Sequence, residues 1–135
     1  MKVLIVDDTH TLRSLVQIYL IAQGWEFAEA CDGAEGLAKA RELRPDVVIS
    51  DVNMPVMDGF ELCAAMRSDP TLRQVPVVLL TMRGDDASRQ RGELVGASAF
   101  LTKPVSPLQL RDAVRKVTAA RMTAAKVAAA AKGSQ

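Results

Sequence analysis

The sequence predicts one α/β domain: a five-stranded parallel sheet with helices on both faces. Three observations carry that expectation. Short β-branched runs at residues 2–6 (KVLIV), 47–49 (VVI) and 76–81 (PVVLLT) are too brief for helices, and their uniform apolarity suits strands covered on both faces. Helically patterned stretches separate the strands, so strand and helix alternate five times; this implies right-handed crossovers that cover the sheet from both sides. With 135 residues, 49% of them hydrophobic, the chain is long enough for one real core and too short for two ordinary domains.

The first strand, residues 2–6, stops abruptly at Asp7-Asp8. Thr9 or Thr11 is placed to cap the next helix, in which Leu12, Leu15, Val16, Tyr19 and Leu20 keep a 3.6-residue stripe and Gly24 suits the C-terminal stop. His10, the single histidine, stands at that entry without a second ligand and reads as an exposed loop residue. Residues 25–30 (WEFAEA) alternate like a strand with one wetter face. Asp32-Gly33 then turns into a helix carrying Ala34, Leu37, Ala38 and Leu43, which Pro45 stops.

The third strand ends on Asp51, because Met54-Pro55 and Asp58-Gly59 forbid its continuation. Residues 59–67 (GFELCAAMR) form a helix closed by Asp69-Pro70, and residues 76–81 form a strand ending on Thr81. Asp85-Asp86 place negative charge at the start of a fourth helix that ends at Gly96. Residues 97–101 (ASAFL) form the last strand, followed by Thr102-Lys103-Pro104. Pro107 opens the final helix, whose apolar side is Leu108, Leu110, Val114 and Val117.

Charge is unevenly spread. Residues 1–106 hold 11 Lys+Arg against 15 Asp+Glu, whereas residues 107–135 hold 6 against 1. An acidic body with a basic tail argues against direct nucleic-acid binding by the core. Eight of the thirteen residues from 119 to 131 are alanine, which favours an extension of the last helix before residues 133–135 fray it. The expected division is therefore a domain at residues 1–120 and an Ala-rich basic tail at 121–135. Only four apolar residues separate Lys2 from Asp7, too few for a signal-peptide core, and no run is long enough to span a membrane, so the expected location is cytoplasmic. Cys31 and Cys63 lack CxxC spacing and read as small buried hydrophobes.

Four strand ends carry Asp7-Asp8, Asp51, Thr81 and Lys103, and in a parallel sheet these ends share one edge, where such folds place their ligand crevice. Gathered carboxylates repel one another, and a hard divalent cation relieves that repulsion. Magnesium suits a few carboxylate and carbonyl oxygens and leaves positions open for phosphoryl oxygens. Asp51 is then the nucleophile expected to attack phosphorus and form an aspartyl phosphate.

In motif order over residues 1–120, the Asp-Asp pair, DVNMPVMDG, the threonine after an apolar strand and Lys-Pro, this chain resembles the receiver domain of two-component response regulators, of the CheY-like superfamily. The resemblance implies a flavodoxin-like sheet of strand order 2-1-3-4-5 with five helices. It implies Mg²⁺ bound by Asp8, Asp51 and the Asn53 carbonyl, with Asp7 acting largely through water. Lys103 would pair with phosphoryl oxygens as a fixed positive charge, the Lys103-Pro104 peptide would be cis, Thr81 would donate to another oxygen, and Phe100 occupies the switch-aromatic position. Met82 departs from the small residue favoured after the threonine and narrows the expected entrance.

The function implied is a stand-alone, phosphorylation-activated regulator rather than an enzyme acting on other substrates. A histidine kinase or phosphotransfer protein would supply the phosphoryl group, and a downstream protein target, as in chemotaxis or motility, would read the face formed by the fourth helix, last strand and last helix. The expected state is a monomer or weak dimer. Two alternatives fit less well. A magnesium-dependent aspartate-nucleophile phosphohydrolase needs a second aspartate two residues after the nucleophile, where Asn53 stands. A receiver-like scaffold that takes no phosphate would have no use for the complete set Asp7, Asp8, Asp51, Thr81 and Lys103.

Overall fold

The computed structural model describes the backbone of residues 1–133 and the side chains of residues 1–123. Along the chain run β1 (Lys2–Val6), α1 (His10–Leu20), β2 (Glu26–Ala30), α2 (Gly33–Leu43), β3 (Val47–Asp51), α3 (Gly59–Ser68), β4 (Val77–Thr81), α4 (Asp86–Leu94), β5 (Ala99–Thr102) and α5 (Pro107–Gly133). All strand pairs are parallel, in the order β2-β1-β3-β4-β5. Strand order and helix count are those the family resemblance implies.

The sheet separates two apolar layers. Leu4, Val6, Val48 and Leu79 meet Ala40 of α2 and Leu62, Cys63 and Met66 of α3 on one face. Val3, Ile5, Ile49 and Val78 meet Leu20 of α1 and Leu110, Val114 and Val117 of α5 on the other. Every residue of β3 and β4 is buried, which is why residues 47–49 and 77–80 read as unbroken apolar runs. Their C-terminal residues, Asp51 and Thr81, are therefore polar groups inside an apolar layer.

Helix ends follow local chemistry. Asp32 and Asp85 accept from the backbone N–H groups of Glu35 and Ser88, and Asp58 with Glu61 forms a reciprocal capping box. Thr9 stands at the N-terminus of α1 without a side-chain capping bond, and its own N–H donates to Asp7 Oδ1 at 2.9 Å. His10 is exposed, as expected, but is the first residue of α1 rather than part of a loop. A single 3₁₀ turn, Ile21–Gln23, continues α1 to Gly24, whose φ of 73° makes the left-handed stop.

Several sequence expectations are corrected. Leu15 and Leu108, both expected on apolar stripes, are 38% and 56% exposed: Leu15 stands about a quarter-turn from the inward face of α1, and Leu108 lies on nearly the opposite side of α5 from the buried Leu110, Val114 and Val117. Cys31 is exposed, with Sγ 3.0 Å from Glu35 Oε2, since β2 ends one residue before it. Cys63 is buried as expected. The last strand starts at Ala99 instead of residue 97, because Gly96 (φ 84°) and the Ala97 N–H, donated to Gly92 O, complete the end of α4.

The last helix continues through the Ala-rich stretch to Gly133. Of the fraying expected at residues 133–135, residues 134 and 135 lie outside the described residues. No described helix is long and apolar enough to cross a membrane. The buried side chains described on α5 all precede residue 118. Urea denaturation of Leu110→Ala is expected to show a loss of about 2–5 kcal/mol, whereas removing residues 122–135 should cost less than about 0.5 kcal/mol. Similar losses in the two variants would show that the tail packs on the domain.

Candidate functional site

Parallel pairing brings the sequence-predicted residues together. β1 and β3 are neighbours with Val6 opposite Ser50, so Asp7 and Asp51, each one residue further on, lie side by side. One carboxylate oxygen each from Asp7, Asp8 and Asp51 falls within 4.8 Å of the others. Asp7 and Asp51 are only 5% and 9% exposed, whereas Asp8 faces solvent. Lys103, just after β5, reaches across the edge: its Nζ is 3.0 Å from Asp51 Oδ1 and 3.9 Å from Asp7 Oδ2. A salt bridge this enclosed owes its place to partners that would be stranded without it.

The loops are tied to one another. Lys103-Pro104 is a cis peptide, and the Lys103 N–H donates to Thr81 O at 2.7 Å, joining the β4 and β5 ends. Thr81 is buried, and its Oγ1 accepts from the Arg83 N–H at 3.0 Å. Arg13 Nη1 donates to Asp7 O at 2.6 Å while its Nε meets Glu29 Oε1 at 3.1 Å, so α1 is pinned to the end of β1. Sequence reasoning missed Arg13, which carries no motif and sits among ordinary helix residues.

Gly59 was legible only as a helix entry, and its larger role is spatial. A Cβ there would lie 2.4 Å from Asp51 O and 2.9 Å from Val52 Cα, while the Gly59 N–H donates to Val52 O at 2.8 Å. The start of α3 thus closes onto the backbone of the central carboxylate. Between them, exposed Val56 adopts a φ of 70°, a region costly for a β-branched residue, so the loop over Asp51 is held in a strained conformation.

Of the remaining candidates, Asn53 is exposed in the loop two residues beyond Asp51. Met82 is 69% exposed and, with Asp7, Leu12, Tyr19 and Lys103, lines a cleft of ≈ 390 Å³ beside the carboxylates. Phe100 does not join the cluster. Its ring stacks on Phe60 at 6.4 Å, with the Arg89 guanidinium 5.5 Å from its centroid, on the α3 and α4 side of the sheet.

Burial raises the Asp7 pKa, and the neighbouring Asp51 charge adds to the rise; the Thr9 N–H and Lys103 oppose it without prevailing. Ionised Asp7 therefore costs the folded state stability that is lost as pH climbs from the ordinary value of 3.8 through the raised one. In chelator at pH 7, Asp7→Asn, which can still accept from Thr9, is expected to melt at a higher temperature than the unsubstituted protein. The gap should close as the pH falls below 3.8. A lower melting point for the variant at pH 7 would contradict this reading.

Comparison with known proteins agrees with the fold and motif order. The family model described as the response regulator receiver domain matches residues 3–115. Response regulator PleD of Caulobacter vibrioides is 41% identical over 117 residues, 87% of this chain and 26% of PleD, so the chain spans about a quarter of that relative's length. Protein PilG of Pseudomonas aeruginosa is 30% identical over 115 residues, covering 85% of each chain. The crystal structure of the Vibrio cholerae chemotaxis protein CheY4 superposes with a TM-score of 0.81 at 43% identity, covering 86% of this chain and 97% of CheY4. Residues 3–115, with the carboxylates, threonine and lysine at the ends of their strands, belong to the response regulator receiver domain family of two-component signalling.

Proposed function

We propose that this domain is a phosphoryl-accepting switch in which Asp51 is the acceptor. The observation that carries the reading is Lys103 Nζ at 3.0 Å from Asp51 Oδ1 beside two further carboxylates. A lysine so placed offsets the negative charge of the nucleophile before transfer and pairs with phosphoryl oxygens after it. The donor is a phosphohistidine of a kinase or phosphotransfer protein. Asp51 attacks phosphorus in line, the P–N bond breaks, and its electron pair leaves on the imidazole nitrogen.

The donor set fits a hard divalent cation: three carboxylates, no sulfur or imidazole, and one member open to solvent. Asp8, Asp51 and the Asn53 carbonyl would hold Mg²⁺, with Asp7 acting through water, and the bound ion would supply charge neutralisation for the carboxylates and incoming phosphoryl oxygens. Thr81 exchanges its acceptance from Arg83 for donation to a phosphoryl oxygen. Because the Lys103 N–H is bonded to Thr81 O, that movement is felt at the end of β5 and at Phe100. The α4, β5 and α5 surface then carries the message to a protein target. Gly92, where a Cβ would stand 3.0 Å from the Phe100 ring, supports a seat for that aromatic against α4.

In this reading residues 1–120 work in the cytoplasm as a signalling domain that promotes its own phosphorylation and dephosphorylation, as a monomer or weak dimer. Residues 121–135 serve as an appended basic tail. The test is labelling with acetyl phosphate followed by mass spectrometry. Label is expected at Asp51 only with Mg²⁺ present, to be absent in Asp51→Asn, and to persist in Thr81→Ala without the accompanying change in the Phe100 amide signal. Full labelling of Asp51→Asn, or in excess chelator, would overturn the assignment.

A further inference from the structure

At the opposite ends of the strands from the carboxylates, where β4 and β5 begin, lies a groove of ≈ 680 Å³. Four cationic side chains line it, Arg67, Arg73, Lys116 and Arg121, and no carboxylate does. None of the four belongs to an ion pair among the described residues, although the domain's other arginines and lysines repeatedly do. This is a local positive field on a body whose residues 1–106 are net negative.

One of the cations is held in place by the fold. Arg67 donates from Nε to Gly96 O at 2.9 Å and from Nη1 to Val75 O at 2.7 Å, and its Nη2 reaches Ser98 Oγ at 3.4 Å. A Cβ at Gly96, itself at φ 84°, would lie 3.0 Å from the Arg67 stem, so the side chain packs along bare backbone. All its partners are neutral. Its charge remains uncompensated in a fixed position, while the Arg73 and Lys116 side chains are exposed and make no hydrogen bond among the described residues.

We propose that this groove binds an acidic segment of a partner protein, laid in extended form along the edge strand β5. Guanidinium groups match carboxylates in a planar, two-bond geometry, and four cations without an ion pair among the described residues, Arg121 donating only to the Asp46 main-chain oxygen at 3.4 Å, select a run of acidic residues. β5 is paired only with β4, and its Ala99 and Leu101 form part of the groove wall, so an extended segment can follow it. Nucleic acid is the less suitable anion, because no aromatic side chain lines the groove to stack a base. The groove borders the face proposed for signalling, but the inference rests on its own charges and not on phosphorylation of Asp51.

The test is fluorescence anisotropy of a labelled oligoglutamate peptide, with oligoglutamine and oligothymidylate of equal length as comparisons. The unmodified domain should bind oligoglutamate most tightly at low salt, and binding should weaken as ionic strength approaches about 0.15 M, where the screening length is about 8 Å. Charge reversal in Arg73→Glu with Lys116→Glu is expected to weaken binding about tenfold or more, with an unchanged melting temperature and unchanged Asp51 labelling. Arg73→Gln with Lys116→Gln should give a smaller loss in the same direction and provides the measurement if the reversed variant folds poorly. Equal binding of oligoglutamine, tighter binding of oligothymidylate, or indifference to both double substitutions would overturn the proposal.

Discussion

The structure depends on a repulsion that the fold itself creates. Parallel pairing places Asp7 and Asp51 side by side, Asp8 adds a third carboxylate, and their oxygens come within 4.8 Å of one another. Two such charges repel by about 4 kcal/mol at ~4 Å and an effective dielectric of ~20. Lys103 offsets part of this from within, at 3.0 Å from Asp51, but it is one cation against three carboxylates. What remains is a site with a strong preference for additional positive charge. Solvent-facing Asp8 gives that charge a way in.

The surrounding constraints keep the carboxylates from relaxing apart. Gly59 lets α3 close on Asp51 O, Arg13 fixes Asp7 O to α1, and the Lys103 N–H fastens the β5 end to Thr81 O. A group arriving at Asp51 therefore meets a loop already bonded to the last strand. The ends of β4 and β5 are thus joined by a main-chain hydrogen bond directly beside the carboxylates.

Most of this was legible in the sequence because burial on both faces leaves an unmistakable trace. β4 is apolar until its last residue and β3 until Ser50, and a polar group ending such a buried strand stands out. Asp51 and Thr81 stand out in that way, Asp7 follows the buried run of β1, and Lys103 is marked by the Lys-Pro pair after the partly buried β5. Arg13 and Gly59 were not found as site residues, since their work depends on partners distant in the chain or on space that only the folded backbone defines. The errors have separate causes: Leu15 lies at the edge of the face that α1 turns inward, Leu108 faces away from the buried side of α5, and Cys31 falls just beyond the end of β2. The groove around Arg67 left no periodic signal, as its four cations come from different segments.

The central claim is that the carboxylate cluster is an unfinished electrostatic arrangement completed by a divalent cation. Thermal unfolding across a Mg²⁺ titration at constant ionic strength measures this directly, because an ion that binds only the folded state stabilises it by about 2.7 kcal/mol at a hundredfold excess over its dissociation constant. The melting temperature should rise with Mg²⁺ in the unmodified domain and stay nearly flat in Asp8→Ala. A flat response in the unmodified domain, or an equal rise in both proteins, would contradict the account.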